Sequence, residues 1–275
     1  MPEGPEVETI RRTLEPQLLG RSLHEPWTSG LKLRSNQNEG ALKALEHKPI
    51  KALGRRGKLM WIDFAGDMSL LVRLGMTGRL YVKNRAEPTE SHTHFRAHLD
   101  RGELELRFVD PRRFGDLQVV DAARKQHEIN RIGPDPLSWK EEEKLALVAR
   151  VRASDRTIKD ILLDQSVLAG VGNIYASESL FAARIHPQAR GCQLSKPRIG
   201  KLLEHTAAVL ELAVRHNGTT FSNYVDGAGK KGDNLNFVNV FQRTGEPCYV
   251  CQKPIRRAVQ SGRSTFYCMK CQKCT

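Results

Sequence analysis

The N-terminal stretch Met1-Pro2-Glu3-Gly4-Pro5-Glu6 contains residue types that can carry out covalent chemistry on a sugar. Removal of the initiator methionine is expected before a residue as small as Pro2, and it leaves a secondary amine at the new N-terminus. An α-amine titrates near ~8, so much of it is neutral and nucleophilic at neutral pH. Such an amine can attack a sugar or carbonyl carbon and form a Schiff base. Glu3 and Glu6 follow within one turn, where a carboxylate can transfer protons.

A structural interpretation of the same stretch is equally direct. Pro5 is typical of a first helical turn, and the acidic residues after it favour the positive end of a helix dipole. Apolar residues recur at helical spacing, at Val7, Ile10 and Leu14. The stretch therefore predicts an amphipathic helix that is kinked or ends near Pro16. The rest of the chain decides between the two interpretations.

The composition indicates a soluble, two-domain protein with an anionic partner. The chain has 275 residues, and 44 Lys and Arg against 31 Asp and Glu give a formal net charge of +13. Such an excess attracts polyanions, of which nucleic acid is the commonest. An anionic membrane surface is the competing partner, but the sequence has no long apolar run, signal peptide or lipidation motif. We therefore expect a cytoplasmic protein with no membrane partner.

Five of the six cysteines fall between positions 248 and 274, and Cys192 stands apart. Clustering at CxxC spacing is typical of metal binding rather than of a disulfide framework. The pattern predicts one structural Zn²⁺ held by Cys248, Cys251, Cys268 and Cys271. Cys274 leaves an alternative open, because Cys271-x2-Cys274 is also a possible knuckle. A site closed by four cysteines contributes folding energy, on the order of 10 kcal/mol, and no catalysis.

Three histidines, His92, His94 and His98, lie in a polar loop and at the start of a strand. They have no cysteine nearby in the sequence, and we do not predict a metal site there.

Residues 20 to 135 are predicted to be mostly β. Short apolar and branched runs cover 59–64, 69–74, 79–82 and 117–120, and Leu104, Leu106 and Phe108 alternate with charged residues. The pattern predicts a two-layer β-sandwich against which the first helix packs.

Three loops of this half carry side chains suited to nucleic acid. Arg55-Arg56-Gly57-Lys58 places three cations around a glycine, which suits phosphate, although a solvated charge run is the alternative. Met76 lies in a tight turn, and Arg112 and Phe114 lie in another. Exposed Met and Phe side chains can wedge between DNA bases while an arginine fills the vacated stack. Packing of Met76 and Phe114 in the core is the alternative.

From residue 136 the apolar period becomes helical. Ser138 with Glu141 predicts a capped helix that runs to Arg152. The helix 157–165 buries one apolar face and directs Lys159 away from it, as a solvated charge unless it faces DNA. A glycine-rich turn at 168–172 then leads into a helix beginning at Asn173, whose amide and free N–H groups suit a phosphate.

The glycine-rich segment 226–234 is predicted to be either a linker or a mobile flap over a ligand. It precedes the cysteine cluster, which contains six Lys or Arg residues and no acidic residue between positions 248 and 275. Three parts are therefore expected. They are a β-sandwich domain over 1–135, a helical DNA-binding domain over 136–225, and a flexible loop with a zinc finger over 226–275.

Together, these motifs resemble the bacterial formamidopyrimidine-DNA glycosylase/endonuclease VIII family of base-excision repair over nearly the full length. The resemblance rests on Pro2 to Glu6, Gly57-Lys58, Leu74 to Gly78, Asp110 to Gly115, Gly170 to Glu178, and Gly262 to Cys268 beside the zinc ligands. It implies an α+β chain in which an N-terminal two-layer β-sandwich with a packed helix precedes a helix–two-turn–helix domain and a β-hairpin zinc finger.

The resemblance also implies an activity and a monomer bound to damaged double-stranded DNA. It implies excision of oxidised purines such as 8-oxoguanine and formamidopyrimidines, followed by β- and δ-elimination through a Schiff base. The residues that it implies are Pro2 as nucleophile, Glu3 as acid and base, Lys58, Asn173 and Arg263 on the DNA backbone, Lys159 near the bound strand, and Met76, Arg112 and Phe114 in the gap left by the everted base.

Two positions depart from the commonest pattern of the formamidopyrimidine branch of this family. Gly4 stands where formamidopyrimidine enzymes usually have leucine, and glycine there is similar to the endonuclease VIII branch, which acts on oxidised pyrimidines. Arg73 stands where many relatives have a phosphate-contacting histidine. A glycosylase with Lys58 as nucleophile and a non-catalytic zinc-finger DNA-binding protein are further alternatives.

Overall fold

The computed structural model describes residues 2–35, 39–219 and 224–273. The chain divides into two compact units, of which unit 1 comprises Met1–Arg131 and His216–Leu235, and unit 2 comprises Ile132–Arg215 and Asn236–Thr275. The helices are α1 Gly4–Leu18, α2 Glu39–Lys43, α3 Ala122–Asn130, α4 Glu141–Arg152, α5 Ile158–Leu163, α6 Asn173–Ala182 and α7 Lys196–Arg215. The strands are β1 Leu23–Thr28, β2 Ile50–Arg56, β3 Leu59–Phe64, β4 Met68–Arg73, β5 Arg79–Asn84, β6 Thr93–Leu99, β7 Leu104–Val109, β8 Asp116–Asp121, β9 Arg256–Gln260 and β10 Arg263–Tyr267.

Unit 1 is built from two antiparallel four-stranded sheets, with strand orders β1-β6-β7-β5 and β2-β3-β4-β8. Alternation along the strands directs one face of each sheet into a shared core, where Ile62, Leu70, Phe95 and Leu106 are fully buried. The apolar stripe of α1 joins the same core. The predicted sandwich with a packed N-terminal helix is confirmed, and α1 continues two residues beyond Pro16.

The segment His216–Leu235 belongs to unit 1, although it follows the helices of unit 2 in sequence. The backbone N–H of Gly227 donates to Thr13 Oγ1 on α1 at 2.8 Å, and the N–H of Val82 on β5 donates to the Gly227 carbonyl at 3.0 Å. A Cβ on Gly227 would lie 2.6 Å from Leu14, so only glycine permits this close approach. Residues 226–230 therefore form a turn that packs on α1 and β5 through Gly227. The predicted domain boundary at 225/226 falls within the segment His216–Leu235 of unit 1. A local sequence pattern does not contain this division, because the segment contacts α1 and β5, which are far away in the chain.

Unit 2 contains α4 to α7 and the β9–β10 hairpin. Thr157 begins α5 as its N-cap, and a glycine-rich turn precedes α6 as predicted. The start of α4 differs from the prediction: Lys140 is its N-cap, and Glu143 accepts the Lys140 N–H at 3.0 Å. The carboxylate of Glu143 therefore has the capping role that was predicted for Ser138 with Glu141.

A second difference lies at the end of unit 1. The segment expected to be β up to residue 135 ends in α3, which begins where Asp121 accepts the Arg124 N–H at 2.7 Å. Among residues 2–35, 39–219 and 224–273, none of the helices has the length and apolarity that a membrane crossing requires.

Candidate active site

The first residues of the chain are held in a fixed position in unit 1. Pro2 is buried, and Glu3 and Glu6 are each 1% exposed. Glu6 accepts two backbone N–H groups at 2.8 Å, one from Glu3 and one from Thr219. Glu6 therefore fixes Glu3 at the N-terminus of α1, where the helix dipole favours a carboxylate. Its two backbone contacts give it a positioning role beside Pro2 and Glu3.

One helical turn later, Glu8 connects α1 to β2. Its carboxylate accepts from Arg11 at 3.0 Å, from Arg12 at 2.7 Å and from Arg55 at 2.9 Å. Burial by itself raises the pKa of Glu8, but the hydrogen bonds and charges of these arginines outweigh it and lower the pKa to about 2. Glu8 is therefore ionised at neutral pH and holds β2 against the N-terminal helix.

The turn between β2 and β3 carries Lys58. Gly57 has a φ of +60°, which the tight turn requires, and Arg55 Nη1 donates to the Gly57 carbonyl at 2.8 Å. The Arg55 side chain is 4% exposed. Arg55 thus supports the turn from inside and is not one of three cations offered to phosphate, whereas Lys58 at the turn is half-buried.

The loops with Met76 and Phe114 are adjacent because glycine at position 75 permits their close approach. A Cβ on Gly75, which has a φ of +60°, would lie 2.5 Å from the backbone carbonyl of Phe114. The buried Asp110 accepts the Gly115 N–H at 2.7 Å and also contacts the Thr77 hydroxyl. Asp110 therefore ties the two loops together below their tips.

The loop tips are exposed rather than part of the core. Met76 is 41% exposed and Phe114 is 48% exposed, while the Arg112 guanidinium carbon lies 4.6 Å from the Phe114 ring centroid. A cation stacked on an exposed aromatic ring is a geometry that also suits stacking on a DNA base. The core-packing alternative for Met76 and Phe114 is wrong.

In unit 2, two side chains converge on the β9–β10 hairpin beside Arg263. Asn173 Nδ2 donates to the Ser264 carbonyl at 2.9 Å, and Lys159 Nζ donates to the same carbonyl at 3.2 Å and to Thr265 Oγ1 at 2.7 Å. Asn173 at the start of α6 and Lys159 on α5 therefore fix the strand that begins at Arg263.

Lys159 corrects the sequence-based prediction of a solvated charge. Its side chain is 0% exposed, and burial of an ammonium requires hydrogen-bond acceptors such as those that β10 supplies. Its burial excludes direct contact with a ligand in this conformation, so any effect on a bound strand passes through the hairpin. The helical period placed Lys159 away from the apolar face, but could not show that β10 covers that side.

Glu178, on α6, is a buried carboxylate whose structural role the sequence did not predict. Its carboxylate accepts N–H groups from Asn239, Val240 and Phe241 at 2.8 to 2.9 Å, and it also accepts from the Asn239 amide at 3.2 Å. Burial raises the pKa of Glu178, and these four donors oppose that shift. The sequence contained a signal for this role, because an acidic residue in the otherwise apolar helix α6 requires hydrogen-bond donors inside the protein.

Gln165 supports the glycine-rich turn. Its amide oxygen accepts the Gly170 N–H at 3.0 Å, and its amide nitrogen donates to the Val171 carbonyl at 2.7 Å. Gly170 has a φ of +81°. The turn that presents Asn173 is thus fixed by one side chain.

The four predicted zinc ligands converge. Cys248 Sγ and Cys271 Sγ lie 3.9 Å apart, Cys251 Sγ and Cys268 Sγ lie 3.4 Å apart, and all four sulfurs lie within 4.8 Å of one another. Zinc–sulfur bonds of about 2.3 Å in a tetrahedron require sulfurs roughly 3.8 Å apart. The residues therefore fit one structural Zn²⁺, and the open choice of Cys274, which lies outside the described residues, is not needed.

The histidines and Arg73 have other partners. His94 contacts Ser29 Oγ at 2.9 Å and the Asp110 carbonyl at 3.1 Å through its two ring nitrogens. In the part of the chain that the structure describes, only the cysteine cluster groups metal-binding side chains closely enough to share an ion. Arg73 pairs with Glu128 on α3 at 2.7 Å.

Comparison with known proteins agrees with this architecture. The formamidopyrimidine-DNA glycosylase N-terminal domain matches residues 1–117, the H2TH domain of the same enzymes matches 132–225, and the zinc finger found in FPG and IleRS matches 245–273. The formamidopyrimidine-DNA glycosylase of Herpetosiphon aurantiacus is 41% identical over 99% of this chain and 100% of its own length. That of an Enterobacter species is 38% identical over 99% and 100%.

Solved structures of the Lactococcus lactis enzyme are similar to the whole chain. A complex with Fapy-dG-containing DNA has a TM-score of 0.90 at 29% identity and covers 99% of this chain and 100% of that one. A complex with DNA containing an abasic site has a TM-score of 0.90 at 30% identity, with coverages of 98% and 99%.

A β-sandwich with a buried N-terminal Pro-Glu pair, a helix–two-turn–helix unit and a four-cysteine finger together define a zinc-finger DNA-repair glycosylase. The chain belongs to the formamidopyrimidine-DNA glycosylase family, whose members combine DNA glycosylase and abasic-site lyase activities.

Proposed function

We propose that this enzyme excises oxidised purines, 8-oxoguanine and formamidopyrimidines, from duplex DNA and then cleaves the resulting abasic site. The observation that carries the proposal is the fixed, buried position of Pro2 and Glu3 at the start of α1, in the same unit as the exposed Met76 and Phe114. Those loop tips suit a gap in a base stack, and eversion of a base costs a few kcal/mol that they offset.

In the proposed reaction, the Pro2 nitrogen attacks C1′ of the damaged nucleotide and the glycosidic bond breaks, so the base leaves. Glu3 protonates the sugar ring oxygen as the ring opens to the iminium. Loss of a C2′ proton expels the 3′ phosphate, and a second elimination expels the 5′ phosphate. Hydrolysis of the iminium returns the amine of Pro2, and the DNA has a gap of one nucleotide.

The remaining residues hold DNA. We propose that Lys58, Asn173 and Arg263 bind phosphates flanking the lesion and that Arg112 fills the vacated stack. Lys159 contributes by fixing the carbonyl of the residue after Arg263. One bound duplex per chain needs no symmetry, so the enzyme is proposed to act as a monomer in the cytoplasm, on bacterial DNA.

Borohydride trapping on an 8-oxoguanine duplex, followed by peptide mapping of the adduct, tests the chemistry. A covalent adduct on Pro2 is expected. Glu3→Gln should abolish excision and retain binding of the damaged duplex, and Pro2→Gly should behave likewise. An adduct on Lys58 would assign a different nucleophile, and full activity of both variants would overturn the mechanism. Absence of any adduct, from protein shown by mass spectrometry to lack Met1, would leave a DNA-binding protein without catalysis.

The resemblance of Gly4 to the endonuclease VIII branch supports a second candidate substrate class, oxidised pyrimidines. The Lactococcus lactis enzyme has been crystallised with DNA containing an oxidised pyrimidine, which makes this class worth measuring. Trapping with an oxidised-pyrimidine duplex in parallel ranks the two. A stronger adduct there would retain the mechanism and change the lesion.

The role of Arg263 has its own measurement. Arg263→Ala should weaken binding of any duplex and reduce the slope of log K against log salt by about 0.9, the value of one lost phosphate contact. Arg85→Ala, on a loop of unit 1, is the matched control for loss of one positive charge. An unchanged slope in Arg263→Ala would show that Arg263 does not touch phosphate.

A further inference from the structure

A pocket of about 510 Å³ lies beside the zinc knuckles of unit 2. Four cations line it, namely Arg184, Arg198, Lys270 and Lys273, together with Val250 and two of the zinc ligands. Its lining contains no Asp or Glu. The pocket shares no residue with the site formed by Asn173, Lys159 and Arg263.

A second pocket of unit 2, at the tip of the β9–β10 hairpin, provides a contrast. Its lining includes Arg156 and Arg263 but also Asp160 and Asp164. Arg156 pairs with Asp164 at 2.8 Å, so this lining has no excess of positive charge. Of these two pockets of unit 2, only the one beside the zinc knuckles has an excess of positive charge in its lining.

The walls of the knuckle pocket are joined rigidly. The buried Gln272 accepts the Cys268 N–H at 2.9 Å, and its amide donates to the carbonyl of Ile185 at 2.9 Å. Ile185 directly follows Arg184, so one side chain connects the zinc knuckle to the end of α6. Fewer parts of the pocket then have to be ordered by a ligand, which reduces the entropic cost of binding.

Arg184 occupies an unusual backbone position. Its φ is +54°, at the end of α6 where glycine or asparagine is the ordinary choice. Arg198 lies in the first turn of α7, at the positive end of a 20-residue helix. Two independent elements therefore add positive potential to the same pocket as Lys270 and Lys273.

The negative charge of the zinc centre neutralises part of the positive charge of the four cations, but not all of it. Four thiolates around one Zn²⁺ carry a net charge of −2, and the four lining cations leave an excess of two positive charges. Lysine and arginine stems with Val250 provide apolar walls, as a groove that follows a sugar–phosphate strand requires.

We propose that this pocket, formed by Arg184, Arg198, Lys270 and Lys273, binds the phosphodiester backbone of a second segment of nucleic acid, apart from the segment held at the hairpin. The occupant is inferred from charge complementarity with the four cations and from the apolar walls that their stems and Val250 provide. The proposal does not depend on the chemistry at Pro2. A second segment lets one chain transfer between duplexes without full release.

The test uses the zinc-loaded full chain saturated with a short duplex that contains an abasic-site analogue. A fluorescent undamaged duplex is then titrated against salt, with anisotropy as the readout. Arg184→Asn with Lys270→Gln should weaken uptake of the second duplex by about 10-fold or more and reduce its salt slope by roughly 1.8, or 0.9 for each lost contact. Asn tolerates the positive φ of position 184.

The matched control removes the same charge from exposed arginines of unit 2 that do not line the pocket. Arg150→Gln with Arg215→Gln should bind the second duplex as the wild type does. Zinc content and affinity for the first duplex should be unchanged in both double variants. Failure of the first duplex to bind would count against the proposed function instead.

Three results would overturn the proposal. One is equal uptake of the second duplex by both double variants. Another is loss of zinc from Arg184→Asn with Lys270→Gln, which would show that these cations serve the thiolate centre. The third is binding of inorganic pyrophosphate without uptake of a second duplex, which would assign the pocket to a small anion.

Discussion

Replacement of Glu8 by glutamine should destabilise the N-terminal helix that carries Pro2 and Glu3. The pKa of Glu8 is lowered from 4.5 to about 2 in the folded chain. The shift corresponds to about 3.4 kcal/mol at about 1.36 kcal/mol per pH unit. Solvent screening at the partly exposed arginines around it reduces the expected loss for Glu8→Gln to roughly 2 kcal/mol at neutral pH.

The sign of the pH dependence follows from the lowered pKa. The contribution of Glu8 is fully present above its unfolded pKa of about 4.5 and is lost as pH falls through about 2, its value in the folded chain. Wild type and Glu8→Gln should therefore differ at neutral pH and converge toward pH 2. Other carboxylates titrate in the same window, so the comparison between variants carries the result rather than the wild-type curve alone.

Hydrogen exchange of the α1 amides is the suitable assay. A chain of two units does not unfold in one two-state step, and zinc leaves its thiolates at low pH, so a global unfolding curve would mix events. Glu15→Gln is the matched control on the same helix, because Glu15 pairs with Arg11 at 2.9 Å and its side chain is 36% exposed. It should cost less than about 1 kcal/mol, as exposed ion pairs do.

Two outcomes would refute this reasoning. One is a loss of α1 stability in Glu8→Gln no larger than that in Glu15→Gln. The other is a difference between wild type and Glu8→Gln that stays constant from neutral pH down to pH 2. Either result would mean that the arginines around Glu8 are satisfied equally well without its charge.

Three further changes have defined outcomes. Glu178→Ala leaves three backbone N–H groups without their carboxylate, so protection of the amides at 239–241 should fall by roughly 2 to 3 kcal/mol in hydrogen exchange. Cys268→Ser should release zinc and unfold the finger, and Cys192→Ser should retain it, as measured by zinc content and DNA binding. Gly75→Ala adds a Cβ 2.5 Å from a neighbouring carbonyl and should reduce binding of lesion-containing DNA, whereas Gly20→Ala, with a φ of +77° and open space, should cost only backbone strain.

Each of these has a result that would count against it. Unchanged exchange at 239–241 in the Glu178 variant would mean that water replaces the carboxylate. Zinc retained in the Cys268 variant would indicate a substitute ligand. Equal loss of DNA binding in the two glycine variants would show that positive φ alone, and not the close approach of the two loops, explains the effect.

Local sequence patterns predicted the elements whose partners are close in the chain. Alternation at Leu104, Leu106 and Phe108 gave β7, because a strand that covers a core needs an apolar residue at every second position. The zinc ligands were predicted for a similar reason, since two CxxC knuckles each place their sulfurs within a few residues. The catalytic roles of Pro2 and Glu3 also rest on residue types and short spacing, and they stay a prediction.

Long-range packing determined what these patterns left open. The exposure of Met76 and Phe114 depends on how two loops that are distant in sequence meet at Gly75. The sequence of one loop does not show that the other lies beside it. Lys159 lies on the polar side of its helix, yet β10, more than 100 residues later, covers it.

The sequence by itself determined the family, the zinc ligands and the candidate nucleophile, because each is a matter of residue type and short spacing. Only the tertiary structure decided that Gly227 packs on α1 and β5, and that cations from the turn after α6, from α7 and from the second zinc knuckle line one pocket. The physical reason is that burial and electrostatic potential depend on which surfaces meet. That depends on the packing of the whole chain, which no local pattern contains.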